Sequence, residues 1–84
     1  MSNPTFNIEN SVIVSVKDNN ATVTSTQEVI RKIEVFDVLG RSVLTKNDCN
    51  SMQVAINKNT VRNQVAVFKI HLQNGQIVTK KVVL

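Results

Sequence analysis

Aromatic side chains are nearly missing from this sequence, which has three Phe and neither Tyr nor Trp. Base-stacking platforms and sugar-binding surfaces are built on aromatic faces, so both are poorly supplied. Cysteine occurs once, at Cys49 in the polar turn Asn47-Asp48-Cys49-Asn50, which excludes an intrachain disulfide and a zinc cluster. A half-buried or surface thiol is the expected role there. Histidine also occurs once. His71 follows Lys69 at strand spacing, which assigns both to a solvated face, and no carboxylate lies near it in sequence. The six carboxylates are scattered singly, so neither a metal cage nor an acid–base pair is indicated. We expect no enzyme, no metal and no cofactor. Long apolar runs are lacking too: Val12 to Val14, Val65 to Val67 and Val82 to Leu84 fall far short of the roughly 18 residues that cross a bilayer. Nothing at the N-terminus reads as a signal peptide, and no direct membrane span is expected.

The formal net charge is +4, but the basic residues are dispersed, with no run longer than two, so nucleic acid is not an expected partner. The 84 residues leave room for one domain with one modest core.

What the sequence does contain is β-branched residues. Val (15), Ile (7) and Thr (7) far outnumber Leu (4), Ala (3) and Glu (3), a balance that suits pleated strands and starves helices. With two Gly, one Pro and eleven Asn, the turns must lean on Asn side chains.

Residues 1–10 are polar, contain Pro4, and read as a linker or lead-in. From there period-two alternation marks the strands. Val12, Val14 and Val16 form one apolar face, Asp18-Asn19-Asn20 a hairpin, and Ala21, Val23 and Ser25 the next face. Ile30 to Val38 is the candidate central strand, with a parity change between Val35 and Phe36 that implies two covered faces or a bulge. Gly40 turns the chain into Ser42 to Lys46, and Met52, Val54 and Ile56 give another half-buried strand. Asn57 to Gln64 is the longest polar connection. Ala66, Phe68, Ile70 and Leu72 point inward on the next strand, Asn74-Gly75 signals a two-residue hairpin, and Gln76 to Leu84 closes the chain. Seven short strands at this spacing predict an all-β, seven-stranded antiparallel immunoglobulin-like β-sandwich over residues 11–84.

The stretch Ile33-Glu34-Val35-Phe36-Asp37-Val38-Leu39-Gly40-Arg41-Ser42-Val43 resembles the V-E-V-Y-D-L-L-G-R-x-V hairpin of the type A C-terminal sorting domain of the type IX secretion system in Bacteroidota. Two further segments match in order: Val67-Phe68-Lys69-Ile70 followed by Asn74-Gly75, and Thr79-Lys80-Lys81-Val82-Val83. The Val14-Ser15-Val16 to Val23-Thr24 hairpin fits the usual opening, so the likeness covers about residues 12–84. The chain departs from the family at Asn63-Gln64-Val65-Ala66, where a Gly followed two residues later by Tyr is usual, and at Leu84, where many members end on Lys or Arg.

The resemblance implies a non-catalytic secretion signal that directs a cargo protein across the outer membrane and is commonly removed on surface attachment or release. Implied partners are the type IX translocon, outer-membrane shuttle and sortase components, together with an N-terminal cargo domain in the full precursor. The implied location is the periplasm in transit, then the cell surface or the medium. Lys80, Lys81, Val82, Val83 and Leu84, with Gly40 and Arg41, are the candidate recognition residues, and Asn74 and Gly75 a turn motif. Exposed strand edges make strand-mediated self-association a further expectation. The rival readings are an immunoglobulin-like adhesion module and a spacer of a surface protein.

Overall fold

Alternation in the sequence becomes seven strands: β1 (Val12–Lys17), β2 (Asn20–Ser25), β3 (Ile30–Phe36), β4 (Ser42–Lys46), β5 (Gln53–Asn57), β6 (Val65–Leu72) and β7 (Ile77–Val83). The structure is a computed structural model that describes residues 11–57, 61 and 65–84. The expected lead-in at 1–10 and most of the 57–64 connection, including Asn63 and Gln64, lie outside the described residues. All strand pairs are antiparallel, and they form two sheets, ordered β1-β2-β5 and β4-β3-β6-β7. This is the expected β-sandwich, with β3 inside the larger sheet.

The core lies between the sheets. Ala21, Val23, Val54 and Ile56 enter it from one side; Ile33, Val35, Ala66, Phe68, Ile70, Leu72 and Val78 enter it from the other. Phe68 is fully buried, and removing a side chain of that size from water contributes about 2–3 kcal/mol. Val61 is also buried, so the connection read as polar still sends one side chain into the core.

Two bulges explain positions where strict alternation fails. Ile30 pairs with Leu72 while Lys32 pairs with His71, so Arg31 is an extra residue and both Ile30 and Ile33 face inward. Val35 pairs with Leu44 while Phe36 pairs with Ser42, leaving Val43 unpaired. Consecutive Val43 and Leu44 can therefore both pack against the core. Phe36 belongs to the outer face, where the Lys69 ammonium lies 5.2 Å from the centre of its ring.

Three expectations are corrected. Met52 is exposed and precedes β5, where the chain passes from the Ser51 bridge with Ile30 to the Ser25 amide of the other sheet. Val16 is exposed and Val14 only half-buried, since β7 stops short of covering them. The Asn74-Gly75 hairpin has a three-residue loop: the Leu72 amide donates to Gln76 O at 2.8 Å and the Gly75 amide donates to Leu72 O at 3.0 Å. Gly75 has φ +93°, the left-handed residue that ends a three-residue loop built on a type I turn.

Candidate functional site

The β3–β4 hairpin repeats that geometry with an added carboxylate. The Asp37 amide donates to Arg41 O at 2.9 Å and the Gly40 amide donates to Asp37 O at 3.0 Å, with Gly40 at φ +86°. Asp37 is buried. Its Oδ1 accepts from the Leu39 and Arg41 amides, each at 2.9 Å, and its Oδ2 accepts from Arg41 Nε at 2.8 Å. The Arg41 amide, then the Arg41 guanidinium and the Leu39 amide, hold the Asp37 carboxyl below its ordinary range against a partial loss of hydration. Gly40 and Arg41 thus build the turn, and the guanidinium is engaged within the domain while most of its surface stays exposed.

The rigid tip presents Val38 and Leu39 to solvent, 67% and 74% exposed. Antiparallel pairing of β3 with β6 and of β6 with β7 brings the end of β7 to the same end of the sheet: Phe36 pairs with Val67, and Val65 with Val83. Val83 is 72% exposed, so the three most exposed large apolar side chains among the described residues share one end of the four-stranded sheet. Asn74 and Gly75 lie at the opposite end.

Pleating divides the β7 candidates. Lys80 pairs with Phe68 and takes the inward parity, half-buried; Lys81 pairs with Val67 and points outward, exposed. Val82 is buried, Leu84 packs partly on the core, and Val83 is free to make contacts. Lys46 on β4, the other edge of this sheet, pairs with Ile33 and also takes the inward parity. Its Nζ donates to Ala55 O of β5 at 3.5 Å. The chain ties the same flank again where Ile30 and Ser51 exchange backbone bonds of 2.9 and 3.3 Å. On the opposite flank β1 comes close to β7 without joining its ladder. A groove of about 370 Å³ runs there, lined by Val12, Val14, Val16, Lys80 and Val82 among others. The contribution of β1 to this groove was not legible in the sequence, because it depends on where β7 stops covering it.

Cys49 and His71 both find partners within the domain. Cys49 Sγ donates to Lys46 O at 3.4 Å, and loss of hydration raises its pKa, which suits a packed thiol and not a nucleophile. His71 Nε2 lies 2.7 Å from Glu34 Oε1 across β3 and β6, a partnership that local sequence spacing did not reveal. The imidazole hydrogen bond is the main influence lowering the Glu34 pKa, with the Lys32 ammonium 3.9 Å away adding to it against partial desolvation. Among the described residues no three His, Cys, Asp or Glu side chains group closely enough to hold a metal ion.

No curated protein matches the chain. A family model described as a domain of unknown function, DUF8694, matches residues 1–84, and the chain therefore belongs to that family.

Proposed function

We propose that this domain is a non-catalytic secretion address of the type IX sorting kind, recognised as a folded unit through the end of its four-stranded sheet. The observation that carries the reading is the convergence just described. Val38 and Leu39, in the hairpin that resembles the sorting-domain motif, share a sheet end with Val83, in the third such segment, some 40 residues downstream. Exposed apolar side chains gathered at one place on a small domain mark an interaction surface. Exposed Lys81 adds a positive charge to that surface, suited to an acidic partner. Its partners on this reading are the translocon, shuttle and sortase components of the export machinery.

The test is a fusion of residues 11–84 to the C-terminus of a fluorescent protein bearing a Sec signal, expressed in a type IX-competent cell. Fluorescence outside the outer membrane, lost when Lys80 to Leu84 are deleted from a domain that still folds, supports the address. Retention of the intact fusion in the periplasm overturns it and favours an adhesion or spacer module.

A further inference from the structure

We infer that the groove beside β1 and β7 is a strand-addition site for an extended, acidic protein segment that pairs with the free edge of β7. β7 ends its sheet, so one row of its backbone donors and acceptors has no ladder partner. The groove beside it exposes Val16 and half-exposes Val14, two residues with core parity that the present sheet does not reach. An eighth strand laid along β7 extends the four-stranded sheet over them. The incoming strand thus gains main-chain bonds on one side and an apolar floor beneath it.

Charge selects the occupant. β1 and β7 carry no carboxylate, while β7 carries consecutive lysines on opposite faces. The two inward-parity edge lysines differ in use, since the Lys46 ammonium is bonded to the Ala55 carbonyl whereas the Lys80 ammonium has no hydrogen-bond or ion-pair partner among the described residues. An inward lysine on an edge strand discourages pairing with a neutral or basic strand and rewards one that brings a carboxylate. A second copy is a poor occupant. Full antiparallel overlap of two β7 strands, seven residues each, centres on Lys80 and sets the two ammonium groups opposite each other. A segment with two adjacent acidic residues places one carboxylate on each face, matching Lys80 and Lys81.

The test uses the 84-residue chain and a dye-labelled peptide, acetyl-Val-Thr-Val-Glu-Glu-Val-Thr-Val-amide, with a control carrying Lys-Lys in place of Glu-Glu. Fluorescence anisotropy is expected to show binding of the Glu-Glu peptide, weakened several-fold by added salt, and at least tenfold weaker binding of the Lys-Lys peptide. Lys80→Glu with Lys81→Glu is expected to reverse that preference. Lys81→Glu alone, on the solvent face, reads the same trend should the double variant not fold. Amide exchange is expected to slow along β7. Equal binding of both peptides, no binding, slowing confined to β4 or β5, or self-association without peptide binding would each overturn the inference. The partner's place in the cell rests on the sorting reading, but the binding does not. Normal export with no peptide binding therefore removes strand addition alone, and peptide binding without export removes the address alone.

Discussion

Asp37 is the residue on which the β3–β4 tip depends, and it sets an acid limit. Its folded-state pKa is lowered, as is that of Glu34, so for both groups the unfolded state takes up protons first as the pH falls. Stability from these carboxylates is therefore complete above their ordinary values near pH 4 and is lost as the pH drops through the lower folded values. Thermal melts from pH 6 to pH 2 are expected to show a midpoint that falls below about pH 4, with a shallower fall in Asp37→Asn. Identical slopes for the variant and the parent would remove Asp37 from this role. At Gly40 and Gly75 a Cβ meets no atom within 4 Å, so substitution acts through the positive φ alone. Gly75→Ala is expected to cost about 1–2 kcal/mol in denaturant unfolding, and Gly75→Asn less, because Asn tolerates left-handed backbone. Equal losses for the two would point to something other than φ.

Bulges and edges decide what each strand contributes. The extra residue Arg31 returns Ile30 to the core three positions before Ile33. Deleting Arg31 removes the bulge and places Ile30 two positions before Ile33, so strict alternation keeps both inward, with an expected loss in denaturant unfolding well short of the about 2–3 kcal/mol that the burial of Ile30 contributes. A deletion variant that loses the full value would show that the bulge itself is needed to keep Ile30 in the core. Strand existence was legible because period two survives in Val12 to Val16, Val54 to Ile56 and Ala66 to Leu72. The pairing of His71 with Glu34 was not, since it depends on the register of strands 37 residues apart. The separation of Lys80 from Lys81 onto opposite faces, by contrast, is required by pleating alone. The exposure of Val16 follows from the extent of the opposite sheet, which no single strand records. The two-residue signal at Asn74-Gly75 found the hairpin but mistook its loop length, because Gly serves both loop types through the same positive φ.

For the whole molecule, the two sheets meet around Phe68, and Phe68→Ala is expected to cost about 3–5 kcal/mol, enough to unfold much of a domain this small. That loss reports on the fold and says little about recognition, so the decisive variants must change the surface alone. Val38, Leu39 and Val83 meet that condition, being exposed at one end of the sheet, and exposed Met52 serves as an apolar control outside that end. The most direct measurement is the exported fraction of the fluorescent fusion carrying Val38→Ser, Leu39→Ser and Val83→Ser, beside the parent and Met52→Ser. The account predicts at least a tenfold fall in export for the triple variant at an unchanged melting temperature, with Met52→Ser exported like the parent. Export of the triple variant at the parental level would contradict it.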